Sequence, residues 1–159
     1  MKKRFFLAAL VAVLSMSYAI AQPRAIGGRI GYGLEVSYEH GLGNNMVSVE
    51  VGVPAFSGLE AAATYDWIDP FGATFPWDNQ GEWHWYMGVG AQVAAGFKFD
   101  SFYVGPSGRF GFEYDFWFPL QLSFDWRPSV GVNFVKGADP SFGHDLYVGG
   151  LGLGVRYLF

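Results

Sequence analysis

The sequence predicts an all-β protein, an eight-stranded antiparallel up-and-down barrel that crosses a membrane with its strands. Stretches that alternate apolar and polar residues recur along the chain, and this alternation is typical of strands with two unlike faces. Aromatic residues make up 19% of the chain and glycine accounts for 23 of its 159 residues. After the first segment, no apolar run approaches the length of a membrane helix. Cysteine is absent, which excludes a disulfide framework and thiolate metal sites.

The first segment has the composition of a secretory signal peptide. A basic start at residues 1–4 precedes an uncharged apolar run at residues 5–14, and Ala19-Ile20-Ala21 matches a cleavage site. The sequence therefore predicts a signal peptide over residues 1–21 and one barrel domain over residues 22–159. Loss of the basic start makes the chain more acidic than its formal charge of −4, which argues against nucleic acid as a partner.

Seven later stretches alternate as strands with one lipid-facing side do. They cover residues 34–40, 46–55, 59–68, 82–97, 104–115, 120–134 and 145–159. In the sixth, Phe124 falls on the apolar face, while Ser123 and Asp125 fall on the polar face. The apolar face is predicted to contact lipid and the polar face to line the interior.

An eighth strand is expected before these seven. A single-chain bacterial barrel has an even number of strands, with both ends in the periplasm. Residues 24–30 supply the missing strand if three residues form the hairpin turn that follows. That turn pairs Ile30 with Leu34 on the outside and keeps Arg29 and Glu35 inside.

The connections are less regular. Residues 69–81 form the longest irregular stretch, and the sequence leaves open whether it is periplasmic or extracellular. Residues 135–144 are predicted to connect to the last strand. Pro54, Pro106 and Pro128 fall inside predicted strands, where proline favours bulges or breaks.

The last strand ends on alternating apolar and aromatic residues. They are Leu151, Leu153, Val155, Tyr157 and Phe159. This ending resembles the C-terminal signal by which bacterial outer-membrane barrels are recognised for assembly. The sequence therefore predicts a closing strand that pairs with the first strand and is read by the barrel-assembly machinery.

Several longer motifs resemble one family. These are GLEVSYEHGLGNN, WHWYMGVGAQVAAGF, FEYDF, LSFDWRP and GVRYLF. They are similar to the small outer-membrane β-barrel proteins of Bacteroidetes-type bacteria, in the wider OmpA/OmpX-like class. The resemblance covers nearly the whole chain after the signal segment and implies an eight-stranded barrel in the outer membrane. It implies no catalytic residue and no cofactor.

Charged residues are concentrated on the predicted inner faces. The predicted interior charge network consists of Arg29, Glu35, Glu50, Glu60, Arg109, Glu113, Asp115, Asp125, Arg127 and Arg156. Because a buried charge without a partner costs several kcal/mol, these residues are expected to form salt bridges that plug the barrel.

The sequence gives weaker indications of a metal site, a hydrolase triad or interfacial aromatic residues. His40, His84 and His144 have the spacing of no zinc motif, so no metal site is predicted. Ser37, Glu39 and His40 are the residue types of a hydrolase triad, but strand neighbours point to opposite faces. The aromatic residues Trp67, Trp83, Trp85, Trp117, Trp126 and Tyr157 are predicted to form girdles at the membrane interfaces.

The sequence thus predicts a monomeric barrel in the outer membrane of a Gram-negative bacterium, in contact with its lipids, with a structural or interaction role and no catalysis. One alternative is a lipid A acyl-modifying enzyme, which requires a serine or histidine facing outward near the outer leaflet. Another is a soluble periplasmic lipid-binding barrel, which requires an apolar interior. The physiological ligand or partner stays open.

Overall fold

The structure is a computed structural model that describes residues 24–72, 80–97, 100–145 and 150–159. The predicted signal peptide lies outside the described residues, as do residues 73–79 of the long connection. Ten β-strands are present in the described part. They are β1 (Arg24–Ile30), β2 (Gly33–Leu42), β3 (Asn45–Pro54), β4 (Gly58–Ile68), β5 (Glu82–Gly96), β6 (Ser101–Asp115), β7 (Leu120–Trp126), β8 (Ser129–Val135), β9 (Ser141–Asp145) and β10 (Leu151–Leu158).

The strands form one closed antiparallel sheet. Neighbouring strands from β1 to β6 pair in chain order, and β10 pairs with β1. Strands β7 and β8 pair with successive parts of β6, while β10 pairs with β7 and β9 with β8. The pair β7 and β8 therefore makes the seventh strand of a ring, and β9 with β10 makes the eighth. The predicted eight-stranded barrel is confirmed.

The first hairpin has the predicted register. Ile30 lies opposite Leu34 and Arg29 opposite Glu35, as a turn with three intervening residues requires. Because side chains alternate along a strand, this register fixes the inner position of Arg29. The predicted additional strand at residues 24–30 is thus confirmed.

The prediction that residues 135–144 form only a connection is wrong. Ser141–Asp145 is strand β9, with Phe142 opposite Val132 of β8. The turn is shorter than predicted because Gly137 adopts a φ of 81°, a left-handed conformation that reverses the chain at once. Five alternating residues are too few to identify a strand without the edge of β8 beside them.

The three prolines behave differently from one another. Pro128 lies at a break, between the end of β7 and the start of β8. Pro54 is the last residue of β3. At Pro106 the expected local break affects only one of the two ladders, since β6 continues through it with Ala91 of β5 opposite. On the side of β8, the pairs are Val104 with Val132 and Ser107 with Ser129. The β6–β8 ladder is therefore interrupted at Pro106, which has no N–H to donate.

The two faces of the sheet differ sharply in polarity. Outward side chains are apolar, with Val36 63% exposed and Leu153 60% exposed. Inside the described part of the barrel, the buried apolar residues are Ala25, Met46, Ala62 and Tyr86, and the other buried side chains are polar or charged. This arrangement is the reverse of a water-soluble domain. Separately, the described residues include no helix with the length and apolar character to cross a membrane.

The two ends of the barrel also differ. The end that carries the β2–β3 and β6–β7 turns has a rim of aromatic side chains, and we call it the aromatic end. There the ring of Trp83 lies 4.9 Å from that of Tyr114, and the ring of Tyr65 lies 5.5 Å from that of Trp67. We call the other end the hairpin end, because the β5–β6 and β8–β9 hairpins reach beyond β1 there. Trp126 belongs to neither rim, since it ends β7 in the middle of the seventh strand.

The predicted assembly-signal residues all lie on β10 or at its end. Leu153, Val155, Tyr157 and Phe159 are exposed on the outside, and Leu151 is half-buried. Strand β10 closes the ring between β1 and β7. Its role as an assembly signal stays a prediction.

Candidate functional site

Arg109 is the centre of a charge network inside the barrel. It comes from β6 and its side chain is completely buried. One guanidinium nitrogen lies 3.0 Å from Oδ2 of Asp66, and the other lies 3.3 Å from Oδ2 of Asp125. The second nitrogen also lies 3.3 Å from Glu39 and 3.4 Å from Glu50. One cation thus joins carboxylates from four other strands.

The face of Tyr86 completes the surroundings of this arginine. The centre of the guanidinium group lies 4.7 Å from the ring centroid, within the range of a cation–π contact. The hydroxyl of Tyr86 lies 3.3 Å from Asp125, so the same tyrosine touches the cation and one of its anions. Arg109, Tyr86 and Asp125 therefore hold one another in place inside the barrel.

Two further arginines extend the network toward the hairpin end. Arg29 lies 2.7 Å from Asp125 and 3.1 Å from Glu35, and it donates to the carbonyl of Gly150 at 2.7 Å. Arg127 lies 2.8 Å from Glu35 and also pairs with Glu50 and Glu60. Glu35 therefore links the two guanidinium groups.

Arg156 extends the network toward the aromatic end. It lies 3.2 Å from Glu39 and 3.5 Å from Glu50. It also donates to the hydroxyls of Ser37 at 2.9 Å and Ser123 at 2.8 Å. Each of these four arginines has at least two carboxylates in reach, so their buried positive charges are all compensated.

Glycines on the inner face leave room for these long side chains. A Cβ built on Gly152 would overlap the guanidinium group of Arg29. At Gly111 it would lie 2.6 Å from the hydroxyl of Tyr86. The absence of side chains at these positions is therefore part of the packing of the network.

We expect Gly152→Ala to destabilise the barrel by about 1 to 3 kcal/mol, because Arg29 must move away from Asp125 to make space. The midpoint of urea unfolding in detergent micelles measures this. Gly108→Ala is the matched control, since the nearest atom to its Cβ is 3.5 Å away. Equal stability of the two variants would show that Arg29 relocates without cost.

The structure brings together eight of the ten residues of the predicted network. Glu113 and Asp115 lie on the inner face, but within the described residues neither forms an ion pair with an arginine. Glu39 and Asp66 do pair with arginines and are missing from the predicted set. Each directly follows an outward tyrosine in the sequence, so the alternation of residues already indicates that both acids face inward.

The histidines and the triad residue types are dispersed. Ser37 points inward, where its hydroxyl lies 3.3 Å from Glu50, whereas His40 lies beside Tyr38 with 3.4 Å between Nδ1 and the tyrosine hydroxyl. The ring of His84 lies near Asp69, with 2.6 Å between Nδ1 and Oδ2. In the part of the chain that the structure describes, no group of three or more histidine and acidic side chains is arranged to hold a metal ion.

No protein-family model matches this chain, and neither a curated protein nor a solved structure matches it.

Proposed function

We propose that the protein is an outer-membrane β-barrel of a Gram-negative bacterium that has a structural or interaction role in the cell envelope. The observation behind this proposal is the inverted polarity of a closed barrel. Its outward side chains are mostly apolar, many of them large, while its interior contains ion pairs. Exposed apolar surface on this scale requires a cover, and lipid covers all strands of a closed ring at once.

The distribution of aromatic side chains supports the same proposal. At the aromatic end, Trp83 and Tyr157 lie on the outer rim, and Trp117 is 66% exposed in the adjacent turn. At the hairpin end, Phe102 and Phe134 lie outside with ring centroids 6.4 Å apart. Small aliphatic residues such as Ala63 and Val89 lie between. Amphipathic rings above and below an aliphatic band suit the two interfaces of a bilayer.

The interior supports a lumen filled by protein rather than a channel or a lipid site. Four buried arginines and their carboxylates occupy the middle of the barrel, and eight strands enclose little more than their own side chains. A soluble lipid-binding barrel would need apolar side chains there. In this proposal the protein is a monomer with no catalytic role. Its partners are membrane lipids and the barrel-assembly machinery. The resemblance of its motifs to small Bacteroidetes-type barrels agrees with this proposal.

Membrane insertion is tested by fractionation followed by electrophoresis with and without boiling. We expect the protein in the outer-membrane fraction, resistant to detergent and with a mobility that changes on boiling, because backbone pairing between neighbouring strands closes the ring. Recovery in a soluble fraction, with no change in mobility, would overturn the proposal.

Planar-bilayer recordings of the purified protein test the filled lumen. We expect no steady large conductance, because the arginine side chains and their carboxylates close the path. A reproducible open channel in the unmutated protein would favour a porin-like role instead.

A further inference from the structure

A polar cavity lies at the aromatic end, next to the charge network. Its volume is about 490 Å³, and the β2–β3 turn and the segment after β4 form its mouth. Its charged lining consists of Glu39, Asp69, Glu82, Glu113 and Asp115 with His84. We call this cavity the acidic chamber. Only Glu39 of these residues belongs to the arginine network.

The acidic chamber has too few cations for its carboxylates. Among the described residues, the interior arginines pair with Glu39 but with no other acid of the chamber. His84 is shared by Asp69 at 2.6 Å and Glu82 at 3.5 Å. Glu113 and Asp115 have no arginine or lysine as an ion-pair partner among the described residues. A buried carboxylate in this position is unfavourable unless a proton or a further cation compensates it.

Glu113 gives a separate indication that something binds here. The residue is only 3% exposed, and its Oε2 atom has no hydrogen-bond partner among the described residues. The same is true of Oδ1 of Asp115. Glu113 also lines the cavity, and buried polar atoms are almost always paired in folded proteins, so an unpaired acceptor on this side chain points to a donor that comes from a ligand.

The lining also indicates what kind of cation fits. No described group of acids is arranged to hold a metal ion, and the cavity is far larger than a bare ion. Ala25, Met46, Ile68 and Leu158 form an apolar part of the wall. An ammonium group on an aliphatic stem matches both features, because its N–H groups donate to carboxylates while its methylene groups cover apolar surface.

We propose that the acidic chamber binds an organic ammonium cation on an aliphatic chain, either a free alkyl amine or the side chain of a lysine in a peptide, with the carboxylate of Glu113 as its anchor. The inference goes beyond the proposed envelope role. It rests on the interior geometry and does not depend on where the barrel resides.

Isothermal titration calorimetry of the purified full chain in detergent micelles tests this at neutral pH. The probes are cadaverine, a short peptide with one lysine, magnesium chloride and tetramethylammonium, which has the charge but no N–H donor. We expect saturable binding of cadaverine, of the peptide or of both. If only one of these two probes binds, it identifies the source of the ammonium group. Tetramethylammonium should bind more weakly than either, because it has no N–H to donate.

The key variant is Glu113→Gln, which keeps the shape of the side chain and removes its charge. It should weaken amine binding about tenfold or more, the value of a hydrogen bond to a charged group. Asp100→Asn is the matched control, since it removes one carboxylate at the hairpin end, where Asp100 is exposed and lies 3.0 Å from Lys136. Its amine affinity should be unchanged.

Three outcomes would overturn the proposal: neither amine binds, binding survives Glu113→Gln, or magnesium binds more tightly than either amine. The mobility shift on boiling checks that each variant is folded. If Glu113→Gln does not fold, Asp115→Asn replaces it with the same expected loss, because it removes the adjacent open acceptor on the same wall.

Discussion

Replacing Arg109 with alanine is expected to lower the free energy of unfolding by about 3 to 5 kcal/mol. The change removes a cation that contacts Glu39, Glu50, Asp66 and Asp125, and among the described arginines only Arg109 pairs with Asp66. The other three acids keep a second arginine, but the carboxylate of Asp66 would be left in a water-poor interior without a compensating charge. Urea titration of the barrel in detergent micelles, followed by tryptophan fluorescence, measures the loss.

Lys136→Ala provides the control for this experiment. Lys136 also pairs with an aspartate, at 3.0 Å, but its side chain is 81% exposed and that of Asp100 is 70% exposed. An exposed pair contributes about 0 to 1 kcal/mol, so this variant should unfold nearly as the unmutated protein does. Similar losses in the two variants would mean that the interior is hydrated and that the arginines do not hold the strands together.

Replacing Phe124 with arginine should destabilise the membrane-inserted barrel by about 2 to 4 kcal/mol. Phe124 lies in β7, is 49% exposed on the outside and is flanked by Phe112 of β6 and Leu153 of β10. A guanidinium group there would have to leave water for the hydrocarbon. Equilibrium unfolding of the protein inserted in lipid vesicles measures the effect.

Phe142→Arg is the matched control for the lipid face. Phe142 is also a strand phenylalanine on the outside, 72% exposed, but it lies in β9 closer to the hairpin end, and the cost of a charge falls toward the interfaces. Its replacement should change stability by much less than that of Phe124. If both substitutions are harmless, the outer face of the barrel does not contact lipid at all.

The alternation of residues was enough to predict which side chains point inward. Arg29, Arg109, Arg127 and Arg156 all stand at inner positions because the two-residue period of a strand leaves no other choice once its neighbours are apolar. The register of the first hairpin followed in the same way, from the need to keep Arg29 and Glu35 on one face. These features depend only on residues close together in the chain.

The tertiary structure alone decided which inner charges meet. Asp66 and Glu113 are both inner acids, yet Asp66 lies 3.0 Å from Arg109 while Glu113 lines the acidic chamber. Their heights in the lumen depend on strand tilt and on pairings such as β10 with β1, which join distant parts of the chain. Strand β9 likewise became recognisable only beside β8. Local periodicity therefore determined the face of each residue, and the closed ring determined its partner.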